Sequence, residues 1–354
     1  MNTYQITLLP GDGIGQEVIP ASVEVLNKAA ALGGFQLKYK SYDYSCEHYK
    51  NHGKMMPDDG LDRLRDCDGI FLGAVGFPGV PDHVSLWGLL IPIRRTFQQY
   101  VNLRPVRLLK GVDSPLKNPG EIDFYIVREN NEGEYSSIGG RLYEGTDAEM
   151  AVQESVFTRK GVDKVMKFAF DLAQSRGKNL VSATKSNGII HTMPFWDERF
   201  KEIGKLYPEV ERSQYHIDIL TAHFVQHPDW FDVVVASNLF GDILSDLGPA
   251  VVGGMGIAPG ANLNPEREYP SMFEPVHGSA PDIAGKGLAN PIACIWTGAM
   301  MLDHLGQTEA AKAVVDAIEA VTSEGKVLTP DLGGKADTGE VTQAIIEKLD
   351  KLVS

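Results

Sequence analysis

Asp242 and Asp246 stand four positions apart in Asn238-Leu239-Phe240-Gly241-Asp242-Ile243-Leu244-Ser245-Asp246-Leu247. On a helix that spacing puts both carboxylates on one face, where like charges repel and a bound cation would reverse the penalty. Asp218, in His216-Ile217-Asp218-Ile219-Leu220, ends another strand-like run and offers a third carboxylate. Oxygen ligands without His or Cys suit Mg2+ or Mn2+ better than zinc. The competing reading is two aspartates on a wet helix face. Arg94, Arg104 and Arg128 sit in Ile93-Arg94-Arg95, Leu103-Arg104-Pro105 and Val127-Arg128-Glu129. Guanidinium forks hold carboxylates bidentately, so three converging arginines would suit a dicarboxylate; spacing alone equally allows solvated surface residues. Lys185 follows the apolar run Leu180-Val181-Ser182-Ala183 in Thr184-Lys185-Ser186-Asn187-Gly188. A lysine at a strand end facing a cleft can lose its proton through desolvation and act as a base, although most lysines do nothing of the kind.

Two glycine-rich segments could hold a ligand by its backbone. Leu9-Pro10-Gly11-Asp12-Gly13-Ile14-Gly15-Gln16-Glu17 follows the first strand and precedes a helix. Its pattern is not Gly-x-Gly-x-x-Gly and lacks the acid that a Rossmann ribose contact needs about twenty residues later, so alone it reads as a structural tight turn. Phe273-Glu274-Pro275-Val276-His277-Gly278-Ser279-Ala280-Pro281-Asp282-Ile283-Ala284-Gly285 continues to Asn290-Pro291 as a long ordered loop running into a helix. Exposed N–H groups there can hold phosphate. An Asp in such a loop can accept from both ribose hydroxyls of NAD and repel the extra phosphate of NADP.

The elements that must position these residues are an alternation of strand-like apolar runs (4–9, 68–75, 122–128, 179–184, 215–221, 232–236) with helix-period segments such as 162–173. That is the pattern of an α/β protein with many parallel strands. No linker composition marks a boundary, so two lobes sharing one continuous sheet are expected, with breaks near 100 and 256. Apolar Val341, Ala344, Ile345, Leu349 and Leu352 predict a docked C-terminal helix, and the uncharged stretch 289–302 a buried one. A net charge of −14 argues against nucleic acid and anionic membranes, and demands a local arginine cluster if the substrate is an anion. Cys46, Cys67 and Cys294 show no paired spacing, and Met1 leads directly into a strand-like run without a basic leader. The cytoplasm is therefore the expected compartment.

Taken in order and at these separations, the segments resemble the isocitrate/isopropylmalate dehydrogenase family over essentially the whole chain; 232–246 and His277-Gly278-Ser279-Ala280-Pro281-Asp282-Ile283-Ala284-Gly285 carry the resemblance most specifically. It implies an isopropylmalate dehydrogenase-like α/β fold, two lobes around a large mixed sheet and not a Rossmann fold. Residues 1–100 and 256–354 would form the large, cofactor-binding domain, and 101–255 the small one with the dimer interface. It further implies a homodimer with shared active sites, to which Lys185 and Asp218 act across the interface. Asp218, Asp242 and Asp246 would bind Mg2+ or Mn2+, and Arg94, Arg104 and Arg128 would grip the substrate. NAD would meet Ile14, Asn187, Glu274, His277, Gly278, Ser279, Ala280, Asp282 and Asn290, with His277 against adenine and Asp282 on the ribose. The implied reaction has Lys185, or a water beside it, take the 2-hydroxyl proton, hydride pass to nicotinamide, and Tyr135 protonate C3 after a carboxylate leaves. A monovalent cation such as K+ is also implied, with ligands that the residues do not identify.

The segment His83-Val84-Ser85-Leu86-Trp87-Gly88-Leu89-Leu90 precedes Arg94, where relatives contact the C3 substituent. If bulky Trp87 fills that space, hydrogen or hydroxyl at C3 fits best. This, with Gln99-Tyr100-Val101-Asn102 and Pro105-Val106-Arg107, resembles the tartrate dehydrogenase/decarboxylase and D-malate dehydrogenase branch. The expected activity is oxidation of tartrate and oxidative decarboxylation of D-malate to pyruvate and CO2. The alternatives are a 3-isopropylmalate dehydrogenase, should Trp87 point away from the cleft, and a non-catalytic regulatory subunit of the same fold, against which the presence of Lys185, Tyr135, Asp242 and Asp246 argues.

Overall fold

Apolar runs such as Val233-Val234-Val235 need cover on both faces. The computed structural model, which describes residues 2–177 and 179–353, provides it with one ten-stranded mixed sheet between helices. Strands β1 (Thr3–Gly11), β2 (Gln36–Ser41), β3 (Gly69–Ala74), β4 (Val101–Arg107) and β5 (Asp123–Glu129) come first. A separate hairpin, β6 (Gly139–Leu142) and β7 (Met150–Gln153), projects with every residue exposed. Then follow β8 (Asn179–Thr184), β9 (Glu211–His216), β10 (Val233–Ala236), β11 (Ala261–Leu263) and β12 (Ser271–Phe273). The order across the sheet is β2-β1-β3-β12-β11-β4-β5-β10-β8-β9. β2, β1, β3 and β12 are mutually parallel, as are β5, β10, β8 and β9, and antiparallel pairings of β11 and β4 join the two blocks. The chain leaves the first block after β3 and returns to it with β12. This is the expected large mixed sheet, and its antiparallel seam excludes a doubly wound Rossmann order.

One strand expectation fails. Residues 215–221 do not form a strand: β9 ends at His216, and helix Ile217–Gln226 begins at the next residue. The helical period prevails there because Leu220 and Phe224, four apart, are both fully buried, with Phe224 meeting Phe124 and Phe231. Asp218 therefore lies in a first helical turn rather than on a strand end. The buried helix appears as Ile292–His304 and the C-terminal one as Thr338–Val353, where Val341, Ile345 and Leu349 are buried while Leu352 stays exposed. Among the described residues no helix is long and apolar enough to cross a membrane.

The turn after β1 is stitched to its surroundings. Gly13 has φ +54°, and a Cβ there would lie 2.0 Å from the Ser279 carbonyl oxygen, to which the Ile14 amide donates at 2.8 Å. The buried Asp12 carboxylate accepts from the amides of Cys46 (3.0 Å), Glu47 (3.3 Å) and Gly76 (3.1 Å), tying the turn to the start of helix Cys46–His52 and to the exit of β3. Asp12→Ala strands those donors and should cost about 2–4 kcal/mol of stability. Urea denaturation showing a change below about 1 kcal/mol would contradict this role.

Candidate active site

Three elements bring the arginines together. Arg94 lies in helix Ile91–Thr96, Arg104 in β4 and Arg128 in β5, one strand over. All three side a cavity of about 230 Å³ with Tyr135, Asp242, Glu274, His277 and Gly278. Each guanidinium is buried and has a polar partner. Arg94 Nη2 donates to Glu274 Oε1 at 2.6 Å, and Asn262 Nδ2 donates to the same oxygen at 2.8 Å. Arg104 Nε donates to Asn102 Oδ1 at 2.8 Å. Arg128 donates through Nη2 and Nε to Asn238 Oδ1, at 2.8 and 3.1 Å, and is ion-paired with Asp242. Gly241 allows this approach, since a Cβ there would sit 2.6 Å from Arg128 Cβ. The Nε of Arg94 is buried without a hydrogen-bond partner, a donor ready for an anion.

Burial sets the electrostatics. Desolvation, with repulsion from Arg128 and Arg94 added and Glu274 opposing, brings Arg104 down to about 10. Burial works against the charge on Glu274, yet Arg94 and Arg104 prevail and hold its carboxyl below the usual range. Asp242 is likewise held low, against the burial penalty, by Arg128, by the Tyr135 hydrogen bond and by Arg104 and Arg94. Tyr135 Oη donates to Asp242 Oδ2 at 2.7 Å, and burial followed by that carboxylate pushes the phenol up to about 12. The Tyr135 ring lies under Arg128, whose guanidinium carbon is 5.5 Å from the ring centre.

Asp242 and Asp246 occupy helix Asn238–Val251 as expected, and Asp246 is pushed up by burial and then by the charge of Asp242. Their donor set is all oxygen and their repulsion is real, which fits a hard divalent cation. Asp218 is not with them. It pairs with Lys185, Nζ to Oδ1 at 2.7 Å, and that hydrogen bond holds its carboxyl low. Neither side chain lines the arginine cavity. Among the described residues no three acids, histidines or cysteines gather to hold an ion within one chain. A single chain thus brings two of the three expected metal ligands together, with Lys185, Asn187 and Asp218 elsewhere.

On the cofactor side, Ile14 and Ser279 meet through the bond already described, and Ala280 adopts a left-handed φ of 40°. Glu17 accepts from the amides of Gly285 and Gly287, pinning the loop that carries exposed Asp282 to helix Gly15–Gly33. His277 presents a buried Nε2 without a partner, and burial pushes its imidazole below the ordinary histidine range. An orphaned polar atom beside a cavity suits a heterocyclic ligand. Asn290 is buried, and its amide is already engaged: Nδ2 donates to Asp331 at 3.0 Å, and Oδ1 accepts from Ile292 at the start of helix Ile292–His304. Glu274, expected on the cofactor, spends its carboxylate on Arg94 and Asn262.

The size argument built on Trp87 does not hold. Residues Leu86–Leu90 form a π-helical turn whose Leu86 and Leu90 line the cavity, while Trp87 lies outside it with the Arg95 guanidinium 5.2 Å over its ring. Asn238 and Arg95, whose Nη2 holds the Tyr135 carbonyl at 2.7 Å, were not legible as site residues, because their partners come from distant segments, whereas Asn102 stands two residues before Arg104 on one strand face and was within reach of the strand period.

Comparison with known proteins follows the same lines. The family model described as isocitrate/isopropylmalate dehydrogenase matches residues 5–348. A D-malate dehydrogenase (decarboxylating) of Escherichia coli strain K12 is 59% identical, covering 98% of both chains. A tartrate dehydrogenase/decarboxylase of Pseudomonas putida is 55% identical over 99% of both. The crystal structure of isocitrate dehydrogenase from Methylococcus capsulatus superposes with a TM-score of 0.88 at 35% identity, over 98% of this chain and 99% of that one.

Asn238→Ala removes the acceptor of two buried Arg128 donors and should lower stability by about 1–3 kcal/mol. Unfolding curves that superpose on those of the unchanged protein would show that Arg128 does not depend on that amide.

Proposed function

The chain belongs to the isocitrate/isopropylmalate dehydrogenase family, and on that premise we propose that it is an NAD- and divalent-metal-dependent enzyme that oxidises tartrate and oxidatively decarboxylates D-malate to pyruvate and CO2. The observation that carries this is the convergence of Arg94, Arg104, Arg128, Tyr135 and Asp242 on one small cavity. A cavity of about 230 Å³ suits a four-carbon diacid better than a drug-sized ligand. The decarboxylating hydroxy-acid dehydrogenases named among the relatives support the reaction class.

The arginines orient the substrate carboxylates and exclude water from around them. Asp242 and Asp246 would hold Mg2+ or Mn2+ with Asp218 of a second copy, and the ion supplies polarisation of the substrate oxygen at C2. Lys185 takes the hydroxyl proton, directly or through water. Tyr135, a phenol that carries its proton at neutral pH, delivers one to C3. Asp282 on the stapled loop favours NAD by meeting the ribose.

A homodimer completes the site. The Lys185–Asp218 pair lies beside exposed Ile189, Ile190 and Ile219, and exposed Leu239 and Ile243 flank Asp242 on its helix, so a second copy would bury both groups. Three free cysteines suit the cytoplasm as its compartment.

A second reading, 3-isopropylmalate dehydrogenase, is favoured by one feature: Leu86 and Leu90 present an apolar wall where a branched alkyl group would lie. A panel of D-malate, tartrate isomers and 3-isopropylmalate, each with NAD and NADP and with Mn2+ present or chelated, decides between them when scored for reduced cofactor and CO2. D-malate or a tartrate isomer with NAD and metal should give the highest kcat/KM; 3-isopropylmalate in first place would reverse the choice. Sharing of sites is tested by mixing Lys185→Met and Tyr135→Phe subunits. Each alone should be nearly inactive, and the refolded mixture should regain up to about a quarter of full activity through mixed dimers. No recovery would place both residues in one subunit's site.

A further inference from the structure

Tyr135 reaches Asp242 from a loop, where backbone is ordinarily mobile, yet this loop is tied down on both sides of the tyrosine. Glu129, buried at the end of β5, accepts from the amides of Asn131 at 2.8 Å and Glu132 at 2.9 Å and so closes the turn. The Glu132 carboxylate accepts from Thr158 N at 2.7 Å and Thr158 Oγ1 at 2.6 Å, ahead of helix Arg159–Arg176. Glu134 points the other way. Its Oε1 accepts from Ser237 Oγ at 2.8 Å and its Oε2 from the Leu239 amide at 3.0 Å, at the start of helix Asn238–Val251. Beyond the tyrosine, Gln153 Nε2 donates to the Ser136 carbonyl at 2.7 Å.

Ser237 is the N-cap of that helix, but its side chain makes no capping hydrogen bond. Glu134 takes over the task from a different segment, and a carboxylate at this end is favoured both by the free amides and by the helix dipole. One residue later, the Tyr135 hydroxyl meets Asp242 in the first turns of the same helix. The cap therefore fixes the distance between the two partners of the Tyr135–Asp242 hydrogen bond, and a displacement of about 1 Å at such a place can cost two orders of magnitude in rate.

We propose that Glu134 is a positioning residue, which sets the Tyr135 hydroxyl in the cavity by locking its loop to the N-terminus of the helix that carries Asp242 and Asp246. The proposal rests on the reading of Tyr135 as the acid that protonates C3.

The test compares D-malate decarboxylation by the unchanged enzyme, Glu134→Ala, Tyr135→Phe and the double variant, with thermal unfolding of each. Glu134→Ala should lower kcat by about tenfold or more, with KM altered less than about threefold; in the Tyr135→Phe background the same change should cost less than about twofold. Glu134→Gln can donate to Ser237 and accept from Leu239, and should recover most of the lost kcat. Losses that multiply fully in the double variant, or that equal each other in both backgrounds and follow a lower Tm, overturn the positioning role while leaving Tyr135 as the acid. If Glu134→Ala does not fold, Glu134→Asp, one methylene short, carries the same comparison. A Tyr135→Phe enzyme as fast as the unchanged one removes the C3 acid itself, and the positioning role falls with it.

Discussion

Three guanidinium groups held out of water within one small cavity are the constraint around which the rest is arranged. Each loses hydration and each repels the other two, and the strain registers in the lowered affinity of Arg104 and Arg128 for their protons. Such a cluster persists only with hydrogen-bonded counter-groups, and the chain supplies them: Glu274 for Arg94 and Asn238 and Asp242 for Arg128 from remote segments, and Asn102 for Arg104 from two residues before it on β4. The cluster also answers the electrostatics of the whole molecule. A protein of net charge −14 repels a diacid at long range, and only a buried concentration of positive charge can reverse that field where the ligand must sit.

The sheet makes the cluster possible. β4 and β5 pair antiparallel with Asn102 opposite Arg128, so Arg104 and Arg128 come from neighbouring strands at the seam between two parallel blocks. β10 lies parallel on the other side of β5, with Ala236 opposite Arg128, and feeds helix Asn238–Val251 directly over it. One register therefore fixes the relation between the arginines and the aspartates. The glutamates at 129, 132 and 134 extend that order into the loop of Tyr135, each closing a turn or meeting the start of a helix. Rigid elements thus govern a loop residue, and the exposed hairpin β6–β7 beyond it is joined to the same loop through Gln153, which donates to the Ser136 carbonyl.

Physical pattern in the chain was sufficient for much of this. Asp242 and Asp246 share a helical face because four residues is one turn, whatever surrounds them. Lys185 closes a strand because the apolar run before it can hardly be anything else. Long contiguous motifs around 232–246 and 277–285 led to the family, and with it to a mixed two-block sheet. Local pattern was insufficient where two periods competed over few residues. At 215–221 an apparent alternation gave way to a helix because Leu220 and Phe224 find a common core, and at 86–90 it is Leu86 and Leu90, not Trp87, that line the cavity, within a π turn invisible to composition.

Residue types and spacing by themselves determined the oxygen-rich acid pair, the supply of arginines, the α/β alternation and the family, since each depends on chemistry or periodicity within a short stretch. Only tertiary structure decided that Glu274 serves Arg94, that Asn238 clamps Arg128, that Asp218 stands with Lys185 and apart from Asp242, and that Leu86 and Leu90 rather than Trp87 wall the cavity. The first two of those outcomes turn on which buried groups find partners 110 to 180 positions away along the chain, and no local rule constrains a pairing whose energy exists only once water has been expelled.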